Sequence, residues 1–357
     1  MPEKYNILFF GASYGSLLGA KAALAGHAAH LVCLPDESRL INSEGAIVRL
    51  PVKGVEGLIE LNTKKMPGAV SAGPPEDVEP SDYDLVVLAM QEPQYRLPAV
   101  KNLLSRVGAS ARPCMSVMNM PPLSYLKRIP GIDPGVIRES YTDPSVWDDV
   151  EPSLITLCSP DPQAFRPPDE KSNVLQVGLP TNFKAARFES EEHTAILRRL
   201  EEDIQRIRYR VGGQEIELPV KLRVHESVFV PLAKWAMLLA GNYRCVQKDG
   251  MISIREAVHS DLDTSKSIYN WVVDLCVRLG ADREALVPFE KYANAALSLQ
   301  KPSSAARALA AKALYIERLD KLVQALAASH SLKSPILDRT VGLVDDWLAK
   351  NRAEHAV

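Results

Sequence analysis

The chain has 357 residues, 46% of them hydrophobic and 24% charged, with a formal net charge of -2. That is the composition of an ordinary globular protein long enough for two domains. The balanced charge excludes a nucleic-acid footprint, and no apolar run reaches the ~18 residues that a membrane span needs.

The first informative stretch is "NILFFGASYGSLLGAKAALAGH", residues 6–27. Lys4, the apolar run and the small residues near its end have the ingredients of a secretory signal, but Glu3 and Asn6 sit in the would-be basic region. The run also splits into two periods. "ILFF" suits a strand buried on both faces, and from Leu17 onward the spacing suits a helix, with Lys21 its one charge before Gly26. Strand, glycine turn and helix account for more of the letters.

Further strands are predicted at "HAAHLVCLP", "DYDLVVLAM" (82–90), "PCMSVMN" (113–119), "SLITLCS" (153–159) and "NVLQVGL" (173–179), with a helix in "YRLPAVKNLLSRV". Strands alternating with helices imply a parallel sheet with crossover connections. Residues 121–163 are rich in proline and aspartate and take no clear assignment. "SEEHTAILRRLEEDIQRI" predicts a helix capped by Ser190, with glutamates in its first turn. After about Val220 every predicted element is helical: "ESVFVPLAKWAMLLAGNY", "DTSKSIYNWVVDLCVRLG", "REALVPFEKYANAALSL", "SSAARALAAKALYIERLDKLVQALAAS" and "PILDRTVGLVDDWLAKN". The expected fold class is α/β: a Rossmann-type, doubly wound domain over 1–220, then an all-helical domain over 221–357. Five scattered cysteines suit buried free thiols in a reducing cytoplasm, and no spacing suits a zinc site.

A dinucleotide loop needs glycine at the tight turn, beside the pyrophosphate and where helix meets strand. Here Gly11 serves the turn, Gly15 the close contact and Gly19 the helix packing, and Ser13 stands where a second glycine is usual. The loop Gly11, Ala12, Ser13, Tyr14 and Gly15 is therefore expected to bind a nucleotide. After the second strand, "CLPDESR" carries Asp36 and Glu37, then Arg39, so the residues leave NAD and NADP both open.

Between Phe229 and Ala240 only Pro231 and Lys234 are not hydrophobic. A lysine in a helix apolar all round either snorkels out or points inward, where desolvation lowers its pKa and makes it an acid. At helical spacing Asn242, eight residues on, falls close to the same face.

In their order along the chain, "GASYGSLLGAKAALAGH", "YDLVVLAMQEPQ", "SVMN", "LAKWAMLLAGN" and "KPSSAARALAAKALYIERLDKL" resemble the ketopantoate reductases, the NADPH-dependent 2-dehydropantoate 2-reductases of pantothenate biosynthesis. The resemblance implies a Rossmann domain followed by a helical one, and a reduction in which Lys234 protonates the carbonyl oxygen. It implies that Asn242, Ser303 and Ser304 hold the substrate, that Glu317 is the acidic partner, and that Gln91, Gln94 and Asn119 lie by the cofactor. Departures are visible too. Leu238 replaces the first of two asparagines, Gln91 stands for a lysine, Met120 for a glycine, and the arginine after the second strand is absent, leaving Arg39 as the nearest cation. Together they point to a 2-keto acid other than ketopantoate, or a related carbonyl compound. NADP is the expected cofactor, with NAD still open. The expected partners are that substrate and, in a homodimer, a second copy of the chain. Two other readings stay open: an opine-type dehydrogenase, for which His225 and His259 are the nearest histidines, and a nucleotide sensor without catalysis.

Overall fold

The computed structural model describes residues 4–355. Ile7, Leu8, Phe9 and Phe10 are all buried, as a run with no polar residue must be when neighbours flank it on both sides. They form β1 (Asn6–Phe10), which is followed by β2 (Ala28–Val32), β3 (Ile47–Pro51), β4 (Leu58–Asn62) and β5 (Val70–Gly73). Next come β6 (Leu85–Leu88), β7 (Cys114–Val117), β8 (Ile155–Ser159), β9 (Gln163–Phe165) and β10 (Val174–Leu179). The last strands are β11 (Phe183–Ala186), β12 (Tyr209–Val211), β13 (Gln214–Ile216) and β14 (Leu222–His225).

The main sheet has the order β14-β11-β8-β7-β6-β1-β2-β5. From β5 to β8 every pairing is parallel, whereas β11 runs antiparallel to β8 and carries β14 parallel to itself. With the β3–β4 hairpin set aside, the six parallel strands follow the doubly wound order 3-2-1-4-5-6, which reverses at β1. A second sheet, β4-β3-β10-β9, joins that hairpin to the expected strand at 173–179. Its strands β3 and β4 alternate buried residues with half-buried or exposed ones, the mark of a sheet covered on one face.

The helix Tyr14–Leu24 is buried along Gly15–Ala23, Lys21 included, and contacts β2, β3 and the helix Glu191–Arg206. The latter starts as expected, with the Ser190 side chain accepting from the His193 amide and Glu191 and Glu192 in the first turn. Contacts divide the chain into two units. One holds residues up to Met90, Gln94–Tyr125 and Ser145–Glu226; the other holds Gln91–Pro93, Leu126–Pro144 and the chain from Ser227 onward.

Two of the expected helices in the second unit differ from a regular α-helix. The predicted helix through 303–329 is interrupted: Ser304–Ala310 and Leu319–Ser329 are separated by an irregular segment. Lys312 there has φ 62, and the buried Arg318 forks onto the buried Asp320 at 2.8 and 2.9 Å. The Tyr243 hydroxyl takes the Glu317 carbonyl (2.5 Å) and accepts from the Leu319 amide (3.1 Å), groups a continuous helix would need.

The stretch around Lys234 is also not one α-helix. It passes from a 3-10 turn (Pro231–Ala233) to one α turn (Lys234–Met237), a π turn (Leu238–Asn242) and another 3-10 turn (Tyr243–Cys245). The Tyr292 hydroxyl donates to the Met237 carbonyl at 2.9 Å and so enters the i→i−4 ladder, a recognised cause of such a bulge. Gly241 makes this possible, because a Cβ there would lie 1.9 Å from the Tyr292 hydroxyl oxygen. Four of the five cysteines are buried, and all five are free. Among the described residues no helix is long and apolar enough to cross a membrane, and no cluster of acidic, histidine and cysteine side chains could hold a metal ion.

Candidate functional site

In the first unit the candidate residues gather where the sheet order reverses. Gly11 leaves β1 with φ 91, a conformation that favours glycine, and its amide donates to the Val32 carbonyl at 2.8 Å. A Cβ on Gly11 would meet Met90 Cγ at 3.0 Å and the Ala89 carbonyl oxygen at 3.2 Å, just beyond β6. The helix then opens at Tyr14, with Ser13 as N-cap, and the Ser13 hydroxyl makes no capping bond. The amides of such a first turn have no partners within their helix. Ala12 is buried, and its carbonyl accepts from Ser16 Oγ at 2.6 Å. The Tyr14 hydroxyl donates to the Pro162 carbonyl at 2.9 Å, which anchors the start of the helix.

Gly15 does not face the loop as expected. It is buried against the sheet, and a Cβ there would lie 3.3 Å from Phe9 Cβ and 3.6 Å from Leu31 Cδ2. Its part is the close helix–sheet approach expected of Gly19, at which a Cβ would make only ordinary contacts. Asn119 follows β7 by two residues on the same edge of the sheet, with Oδ1 buried and unpartnered. Gln94 is exposed on the short turn Glu92–Arg96.

Beyond β2 the expected charges are arranged differently from their order in sequence. Asp36 and Arg39 pair with each other on the surface, 86% and 74% exposed. Glu37 turns inward and pairs with Arg166, which follows β9. Burial raises the Glu37 pKa, opposed by the Arg166 guanidinium. The Cys33 thiol is pushed up to about 12 by burial and then by the Glu37 charge, with Arg166 acting against both.

In the second unit, Lys234 is half-buried at the start of its single α turn. The π turn adds a residue between it and Asn242, so their spacing no longer measures one α-helical face. Leu238 is buried. The neighbouring serines have opposite surroundings. Ser303 is buried, donates to the Asn242 carbonyl at 2.7 Å and caps the next helix through the Ala306 amide at 3.2 Å. Its hydroxyl is committed to the scaffold, whereas Ser304 is exposed. Glu317 is half-buried; Oε1 accepts from the Glu92 amide at 3.4 Å, while Tyr243 holds its carbonyl. Asn242, Ser303 and Glu317 are thus tied into one neighbourhood.

Glu92 is a residue that sequence reasoning missed. Flanked by the exposed Gln91, it is buried, and its carboxylate accepts from both the amide and the hydroxyl of Thr142 at 2.9 Å. Burial raises its pKa, and those hydrogen bonds oppose the rise. Its partner lies in the segment that had no assignment, so no local pattern announces the pair.

No family model and no curated protein matches the chain. Solved structures do match along nearly the whole length. A 2-dehydropantoate 2-reductase from Methylococcus capsulatus aligns with a TM-score of 0.66 and 13% identity, covering 97% of both chains. A D-mandelate dehydrogenase in a ternary structure with NADH and anilino(oxo)acetate gives 0.63 and 12%, covering 97% of this chain and 99% of the other. The chain has the ketopantoate reductase fold. A dimeric ketopantoate reductase from Staphylococcus aureus shares that fold at a TM-score of 0.60 and 9% identity, covering 97% of this chain and 99% of its own. Identity this low speaks for the fold alone.

Proposed function

We propose that the protein is a nicotinamide-dependent reductase of a 2-keto acid or a related carbonyl compound. In this reading residues 1–220 bind the dinucleotide and 221–357 carry the reacting groups, in a cytoplasmic homodimer. The observation that carries the proposal is the Gly11 loop at the point where the doubly wound sheet reverses, the place where such sheets bind nucleotides. The donor set there fits the group. A turn with no room for a side chain, the amides of a helix start and a hydroxyl free of capping duty suit a pyrophosphate. Asn119 offers an unpartnered buried amide oxygen on the same edge.

When bound, the cofactor supplies a hydride. Lys234 Nζ gives the proton to the carbonyl oxygen as negative charge develops on it. The Ser304 hydroxyl and the Asn242 side chain hold the substrate carboxylate, and Ser303 fixes Asn242 by its carbonyl. Glu317, braced by the Glu92 amide, orients the ammonium. An opine-type mechanism fits less well, because the His259 ring nitrogen lies 2.9 Å from the Ala293 carbonyl and not on a carboxylate.

Calorimetric titration with NADPH and NADH, followed by absorbance assays on a panel of 2-keto acids, tests the reading. Saturable binding and oxidation of the reduced cofactor with at least one acid are expected. Affinity for neither nucleotide would refute it, and binding without turnover on any carbonyl would favour the sensor.

A further inference from the structure

We propose that Arg166 recognises the 2′ substituent of the adenosine ribose and gives the protein its preference for a 2′-phosphorylated dinucleotide. This rests on the reading that the first unit binds such a cofactor. In a doubly wound sheet the residues just past the second strand face that ribose; an acidic side chain there favours the free hydroxyl, and an arginine favours a phosphate. In this chain Cys33 and Leu34 occupy the place, and neither carries a charge suited to the task.

The charged residues that follow sort themselves by exposure. Asp36 and Arg39 satisfy one another in solvent. Glu37 is the one acidic group close in, but its side chain is only 9% exposed and its carboxylate is spent on a guanidinium, so it is poorly placed to accept from a ribose hydroxyl. The group left accessible is the cation. Arg166 is 35% exposed, its Nη2 goes to Glu37, and its other donors have no acceptor among the described residues. Both charges act on the Cys33 thiol, which puts the pair beside the first residue after β2. The Val32 carbonyl at that strand end holds the Gly11 amide, so the pair and the glycine loop share one edge of the sheet. A planar fork anchored at one corner by a buried carboxylate, with its remaining N–H groups free, is matched to a phosphate dianion. Glu37 is thus a positioning residue for the guanidinium. The cation comes from just past β9, 129 residues from Glu37 in the chain, and takes the part that Arg39 would have from its position in sequence.

The test is a set of dissociation constants for NADPH and NADH with the unaltered protein, Arg166→Ala, Arg39→Ala and the double variant Glu37→Gln/Arg166→Ala. The unaltered protein should bind NADPH more tightly than NADH. Arg166→Ala should weaken NADPH by roughly ten- to hundred-fold, the worth of charge-assisted hydrogen bonds, and leave NADH nearly unchanged. Arg39→Ala should change neither. The double variant leaves no unpaired buried carboxylate, so its NADPH loss must match the single variant's while its melting temperature stays near the original. Equal loss of both cofactors, no loss of NADPH, or an original preference for NADH would overturn the assignment to Arg166 while leaving the dinucleotide reading standing. Binding of neither cofactor by the unaltered protein would remove both.

Discussion

Replacing Lys21 with methionine should stabilise the protein, by an amount that shrinks as the pH rises. Lys21 lies in the helix Tyr14–Leu24 and is 1% exposed. No carboxylate pairs with it among the described residues. Burial, and then the like charge of Lys221, lower its pKa from 10.5 to about 7. At about 1.4 kcal/mol per pH unit, that fall sets a ceiling of about 5 kcal/mol on the cost of the buried ammonium. Below pH 7 the group is protonated in both the folded and the unfolded chain, and the full cost applies. Between pH 7 and 10.5 the unfolded chain binds more protons, so the native protein gains stability as the pH rises. Above 10.5 the cost is gone. Methionine keeps the packing of the stem without the charge. Urea unfolding of both proteins should therefore differ by up to about 5 kcal/mol near pH 6, about 3 near pH 8 and about 1 near pH 10. Groups common to both proteins cancel in that difference. A difference that does not vary with pH, or a variant less stable than the parent at low pH, would refute the reasoning.

Gly241→Ala should destabilise by about 1–3 kcal/mol, because its Cβ would lie 1.9 Å from the Tyr292 hydroxyl oxygen. Adding Tyr292→Phe should recover part of the loss, whereas additive losses in urea melts would contradict the packing described. Ser303→Ala should cost about 1–2 kcal/mol through the lost cap and the lost bond to Asn242, measured by thermal or urea unfolding. Ser304→Ala should leave stability within about 0.5 kcal/mol and instead raise the KM for the keto acid; the reverse pattern would interchange the two serines' roles.

Where a feature depends on neighbours in the chain, the sequence carried it. "ILFF" suits a strand flanked on both sides, and Ser190 with two glutamates marks a helix start; both elements form there. The β3–β4 hairpin carries a local signal too, since the buried Val48, Leu50, Ile59 and Leu61 alternate with exposed or half-buried residues, although no strand is predicted there. Other features are decided at a distance. The π turn follows from Tyr292, some 50 residues beyond it, and appears locally only as a glycine. Adjacent serines look alike until the fold buries one as a cap and leaves the other in solvent. Gly15 takes the packing part expected of Gly19 because the helix approaches Phe9 more closely at the first of them. Glu37 and Arg166 share no local pattern at all, and neither do Glu92 and Thr142.

The central claim is that Lys234 supplies the proton in a carbonyl reduction. Its most direct test compares turnover of the best 2-keto acid by the unaltered protein and by Lys234→Met, with cofactor affinity measured on both. Loss of general-acid catalysis should lower kcat by ~10²–10⁴ while the dissociation constant of the reduced cofactor changes less than about threefold. Turnover by Lys234→Met at the original rate would contradict the claim and leave Lys234 a structural residue.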